Sequence, residues 1–167
     1  MRYYKKLHCG WKFDKCIQFI NEVLIPNKNL YTSLEVANIY TFLGDAYRDI
    51  GDWQNAIVSW TFALASDSTY REPYLRLAAA VNDKKMYHLA VSLVEECLEK
   101  TYRHYSWLEQ DNSWNASPYD ILSIAYYYLG EYDKSYANIQ KALKKSSLED
   151  DYRLKQNLKF IEEKYFS

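Results

Sequence analysis

The sequence predicts an all-α fold: a right-handed superhelix of antiparallel helix pairs closed by a C-terminal capping helix. Three observations carry that expectation. Residues 46–64 (AYRDIGDWQNAIVSWTFAL), 80–98 (AVNDKKMYHLAVSLVEECL) and 125–143 (AYYYLGEYDKSYANIQKAL) share one order of small and large residues. The first two copies lie 34 residues apart, and the third is displaced by 34 plus an insertion of 11; a period of that length is that of a helix-turn-helix unit. Within each copy the apolar residues recur at helical spacing. Gly51 and Gly130 stand where a helix would end, and Pro73 and Pro118 where one would begin.

Taken in chain order, residues 1–30 read as a partial repeat. Phe13, Cys16, Ile20, Val23 and Leu24 share one helical face, and Pro26 and Asn27 end it. The first full repeat, 37–70, has Tyr40, Leu43, Gly44 and Tyr47 on one stripe and Ala56, Trp60, Ala63 and Leu64 on the facing stripe. Small residues at Gly44, Ala56 and Ala63 let two helices approach, and the aromatics fill what remains. Enlarging Ala56 should overpack the pair by about 1–3 kcal/mol. Gly51 suits a left-handed helix end and Asp52 a cap for the next helix.

The second repeat, 71–104, offers Tyr74, Leu77, Ala78 and Val81, then Ala90, Val94 and Cys97. An insertion, 105–115, brings Trp107 and Trp114, which pack on a neighbouring repeat or contact a ligand. The third repeat, 116–149, supplies Tyr119, Leu122, Ser123 and Tyr126, then Ser135, Ile139 and Ala142. Leu154, Leu158, Ile161 and Tyr165 make 150–166 a capping helix, which a solenoid needs at its end. The whole chain, 1–167, is expected to be a single domain.

Composition narrows the function classes. With 21 basic and 22 acidic residues the net charge is -1, so the positive field of a nucleic-acid binder is missing. No apolar run is long enough to span a membrane, and the N-terminus lacks the apolar stretch of a signal peptide, so a cytoplasmic location is expected. Three cysteines suggest reduced thiols. His8, Cys9 and Cys16 lack the paired spacing of a structural zinc site, and neither metal nor cofactor is expected. Asp150 and Asp151 read as caps at a helix start. With no Gly-rich phosphate loop and no nucleophile motif, the chain is expected to be noncatalytic.

The pattern of a large residue, Leu-Gly, Tyr, then Ala, aromatic, Ala closely resembles the tetratricopeptide (TPR) repeat. That resemblance implies a concave face built from outward positions of each first helix. On it would lie Asn38, Asp45 and Arg48 from the first full repeat, Glu72 and Asn82 from the second with Arg76 at the margin, and Asp120 and Tyr127 from the third. A clamp for peptide C-termini would want Lys and Asn where Thr41 and Asp45 stand, so that mode of binding is not expected. Tyr126 is assigned to the core and Tyr127 to the groove.

A narrower likeness follows from Arg71, Glu72 and Pro73, from Pro118, Tyr119 and Asp120, and from Arg153, Leu154 and Asn157. In this order they resemble the helical region that follows the catalytic domain in bacterial and phage family 2 glycosyltransferases. The resemblance implies a noncatalytic module that holds a protein acceptor or a glycosyltransferase catalytic domain, or mediates assembly, including homo-oligomers. A free-standing adaptor without sugar chemistry and a lectin-like module remain alternatives.

Overall fold

A computed structural model describes residues 13–104 and 110–166, and within its last helix the side chains from Tyr152 onward. Helix α1 (Phe13–Phe19) runs into a wider π-turn (Ile20–Leu24). There follow α2 (Ser33–Asp49), α3 (Trp53–Ser66), α4 (Arg71–Asp83), α5 (Tyr87–Lys100), the short α6 (Asp111–Trp114), α7 (Ser117–Tyr128), α8 (Tyr132–Lys145) and α9 (Leu148–Tyr165). No strand occurs among the described residues. The chain gathers into two compact units, one ending at Pro73 and the other starting at Tyr74.

In the first unit α2 packs on α3 and on α1. Cys16, Ile20, Ile39, Leu43, Ala63 and Tyr70 share its core. The expected apolar stripe of the leading helix holds at Phe13, Cys16, Ile20 and Leu24, which pack on this core, and fails at Val23, which is 43% exposed. The π-turn is the cause. Its i→i+5 bond, Ile25 N–H to the Ile20 carbonyl at 2.9 Å, inserts an extra residue into the turn and swings Val23 off the buried face. Helix α2 starts four residues before the repeat does, because Thr32 and Glu35 form a capping box. Thr32 Oγ1 accepts from the Glu35 N–H at 3.3 Å, and the Glu35 carboxylate accepts from the Thr32 N–H at 2.9 Å.

Between α2 and α3 the two helices meet at a glycine. A Cβ on Gly44 would lie 2.4 Å from Trp60 Nε1, so no larger residue fits beneath that buried indole. The turn that follows is closed by Gly51 at φ +84°, where the Gly51 N–H donates to the Arg48 carbonyl and the Asp52 N–H to the Tyr47 carbonyl, each at 2.9 Å. Asp52 Oδ1 then caps α3 by accepting from the Asn55 N–H at 3.1 Å.

The second unit repeats this construction with other side chains. Val81, Ala90 and Ala125 form one core cluster. Ala116, Ile139, Ala142, Leu154 and Ile161 form another, beneath the closing helix. Helix α8 packs against both α7 and α9. The same pair of carbonyl bonds closes the turns at Lys85 and Gly130, with φ +62° and +76°. Ser123 and Ser135, both fully buried, are joined by a bond from Ser135 Oγ to the Ser123 carbonyl at 2.7 Å.

Candidate functional site

The groove residues expected on α2 are turned to internal partners. Asn38 is buried and its Nδ2 donates to the Tyr70 hydroxyl at 2.7 Å. Asp45, also buried, accepts from Arg48 Nη1 at 3.2 Å, and Arg48 reaches Asp49 Oδ1 at 2.7 Å as well. The segment leaving α3 passes back over α2 and sets Tyr70 into the same core, which encloses positions that sequence spacing alone leaves open. Glu72 and its neighbour Arg71 are buried at the start of α4. Buried polar groups of this kind are ordinarily hydrogen-bonded within the fold, so they shape the unit more than its surface.

In the second unit Arg76 is half-buried, with Nη2 3.4 Å from Gln110 Oε1, and Asn82 is half-buried at the C-terminal end of α4. Trp114 is half-buried in α6 with the Arg103 guanidinium 6.0 Å from its ring centre, and Arg103 is ion-paired to Asp111. Trp107 lies outside the described residues, as do His8 and Cys9.

Of the third-repeat residues, Asp120 and Tyr127 lie two turns apart on α7, and both are near Asn157 of the closing helix, which bonds the first and lines a recess with the second. Asp120 is buried. Its carboxylate accepts from Arg153 Nη1 at 2.7 Å and from Asn157 Nδ2 at 3.2 Å. Asn157 in turn lines a cavity of about 340 Å³ with Ile124, Tyr127, Tyr128, Phe160 and Ile161. Tyr127 is half-buried and meets Tyr128 and Tyr132 edge-on, at 5.3 and 5.8 Å between ring centres. It therefore belongs partly to the core beneath α9 as well as to the cavity wall.

Tyr126 points the other way. It is buried, its hydroxyl donates to Glu95 at 3.0 Å, and Lys134 lies 5.1 Å from its ring centre. Burial first, and then the Glu95 carboxylate, push its pKa up to about 12. Tyr74 is held in the same way by Glu96, at 3.3 Å, and its pKa is likewise raised to about 12, chiefly by burial. Consecutive glutamates on α5 thus hold one tyrosine of α4 and one of α7.

Sequence spacing did not single out Tyr128, Phe160 or Ile124 as site residues. Their one signal is chemical: Tyr128 and Phe160 are large rings off the apolar stripe, 61% and 59% exposed. Asn157 entered only through the glycosyltransferase-like motif. Among the described residues no three His, Cys, Asp or Glu side chains are placed to hold a metal, and no helix is long and apolar enough to cross a membrane. Burial pushes the Cys16 thiol up, which disfavours the thiolate.

Comparison with known proteins places this geometry. No family model and no curated protein matches the sequence. Among solved structures, MamA 41-end from Desulfovibrio magneticus RS-1 is 17% identical with a TM-score of 0.74, covering 99% of this chain and 84% of that one. The first TPR of Spaghetti (RPAP3), bound to the HSP90 peptide SRMEEVD, is 16% identical at a TM-score of 0.66, over 80% of this chain and 98% of that one. The N-terminal domain of stress-induced protein-1 from C. elegans is 17% identical at 0.61, over 79% and 98%. With its antiparallel helix pairs closed by left-handed turns and these likenesses, the chain has an all-helical, TPR-like fold.

Proposed function

We propose that this chain is a noncatalytic protein-interaction module that binds a peptide or protein segment at its third repeat, beside the closing helix. The observation that carries this reading is the aromatic cavity between α7 and α9, where Tyr128 and Phe160 hold exposed ring surface beside a recess. Concave apolar sites with a few fixed polar groups are where ligands bind. The TPR structure of Spaghetti holding a peptide supports the same class of partner.

The test is peptide display on the full chain, with selected sequences re-measured by calorimetry. Enriched peptides that bind in the micromolar range and lose about tenfold or more with Tyr128→Ala and Phe160→Ala support the module. No enrichment, or binding indifferent to both substitutions, rejects it.

A narrower form assigns the module to a glycosyltransferase, holding the catalytic domain or its acceptor. It rests on the motif resemblance. Three of the residues that carry that motif hold each other, Asp120 bonding both Arg153 and Asn157, and a fourth, Leu154, is buried in the core of the same unit. Such a cluster is a reason for fold likeness before it is a reason for a shared partner. Co-purification of a nucleotide-sugar transferase on the immobilised chain, lost with Phe160→Ala, would support the narrower form; capture of unrelated peptides alone would favour the free-standing adaptor.

A further inference from the structure

The closing helix is joined to its own chain by a corner that no residue in the sequence compels. We propose that α9 exchanges between two copies of this chain: α8 and α9 straighten into one helix, and each copy seats its α9 on the α7–α8 face of the other.

Three features lead there. The first is the corner itself. Only Ser146 and Ser147 separate Lys145, the last residue of α8, from Leu148, the first of α9. The turns before α3, α5 and α8 are closed by left-handed residues at Gly51, Lys85 and Gly130, and α4 and α7 carry Pro73 and Pro118 in their first turns. Ser146 and Ser147 are extended, at φ -71° and -78°, and supply neither device. From Tyr132 to Tyr165 the sequence holds no glycine and no proline, the two residues that most oppose a helix interior.

The second is what straightening returns. At the corner the Ser146 N–H and Oγ both donate to the Leu143 carbonyl, at 3.3 and 3.0 Å, and the Ser147 side chain makes no capping bond for α9. A helix that ends leaves its last carbonyls without intrahelical partners, and one that begins leaves its first N–H groups so. One continuous helix pairs both sets with each other.

Complementarity of the seat is the third. Ala116, Ile139 and Ala142 share a core with Leu154 and Ile161, and Tyr136 stacks on Tyr165 at 4.4 Å between ring centres. Buried Asp120 bonds Arg153 at 2.7 Å and Asn157 at 3.2 Å. None of these contacts involves the corner, so α9 of a second copy makes each of them again. Exchange of an identical element is for that reason a low-cost route to a dimer. The buried carboxylate also selects this occupant, because a helix without a cation at that place would leave it unpaired. In the dimer each recess is built by two chains, with Ile124, Tyr127 and Tyr128 from one and Asn157, Phe160 and Ile161 from the other.

The test follows the full chain by sedimentation after refolding at low and at high protein concentration. Spin labels are placed at Lys134→Cys and Lys164→Cys with Cys9→Ser, Cys16 and Cys97 being buried. Labelled chain is diluted into an excess of unlabelled chain, so that only distances within one chain are read. Lys134 and Lys164 line one recess here, whereas a straight helix sets them about 45 Å apart. Refolding at high concentration should yield a dimer with the long distance and leave the monomer with the short one. Ser147→Pro suits the extended corner and interrupts a continuous helix, and it should weaken the dimer about a hundredfold. Ser146→Ala combined with Ser147→Ala should strengthen it about tenfold. A chain that stays monomeric at every concentration even with both alanines, a dimer whose labels remain close, or a dimer indifferent to Ser147→Pro would overturn the exchange.

Discussion

The helix pairs α2–α3 and α7–α8 are built on one pattern and solve its tightest contact in opposite ways. In the first, the close approach is Gly44 under Trp60. In the second, Ser123 takes the place of the glycine, Ile139 takes the place of the tryptophan, and Ser135 bonds back to the Ser123 carbonyl. The small residue is therefore set by its partner across the pair. Where the facing side chain is an indole, even a methyl group has no room; where it is a branched aliphatic, a hydroxymethyl fits. The middle repeat agrees, with Ala78 and Val94 both fully buried at the same two places.

The largest effect is expected at Tyr126. Removing this buried ring, together with its bond to Glu95, should destabilise the chain by about 3–5 kcal/mol in chemical denaturation. Tyr47, its counterpart in the first unit, is half-buried, and its hydroxyl accepts only a longer 3.3 Å bond from Asn21. Tyr47→Ala should cost clearly less, and equal losses would mean that the two pairs depend on this position alike.

Next comes Gly44→Ala. Its Cβ would meet the indole at 2.4 Å, and displacement of Trp60 should cost about 1–3 kcal/mol. The comparison sharpens if Gly44→Ser is combined with Trp60→Ile, which imports the α7–α8 solution. The double variant should lose less than the sum of its single substitutions, because the residues touch. Strict additivity would show that glycine and indole are independent.

The repeat period, the small-residue positions and the closing helix were legible because each depends on spacing along one helix or between sequence neighbours. Ala56, Ala63, Ala90 and Ala142, all fully buried, lie where the stripes predict. What spacing could not give was what returns from elsewhere in the chain. Asn38 is enclosed by Tyr70, and Asp120 is covered by Arg153 and Asn157; neither contact has any local signal. The π-turn at Ile20–Leu24 was hidden for a related reason, since an apolar face read at 3.6 residues per turn assumes that the turn stays regular. The candidate cavity was half visible: Tyr127 through its place in the repeat, Phe160 not at all.

A smaller effect separates the pairs at Ser135. Loss of its bond to the Ser123 carbonyl in Ser135→Ala should cost about 1 kcal/mol, the ordinary net worth of such a bond, read as a lowered denaturation midpoint. Ala56, at the same place in the first unit, already lacks the hydroxyl. Ala56→Ser should therefore give no gain there, because the facing residue is Gly44 beneath an indole, and a gain would contradict the pairing rule drawn above.

The smallest expected effect lies in the turns that end each first helix. Three turns share one bonding pattern, but Gly51 and Gly130 hold the left-handed position in two of them and Lys85 in the third. A side chain at φ +62° brings Cβ against the backbone, a strain of about 1–2 kcal/mol that glycine does not have. Glycine gives back part of that advantage, roughly 0.5–1 kcal/mol, through the greater freedom of its unfolded chain. Lys85→Gly should thus stabilise by about 0.5 kcal/mol and raise the midpoint slightly. Lys85 is exposed, so little packing is lost in the exchange. The reverse change at the matching site, Gly130→Lys, should lower stability by a similar amount, since no atom lies within 4 Å of the position where its Cβ would stand. If Lys85→Gly destabilises instead, the lysine side chain contributes more at this turn than its exposure indicates, and the three turns cannot be treated as one device.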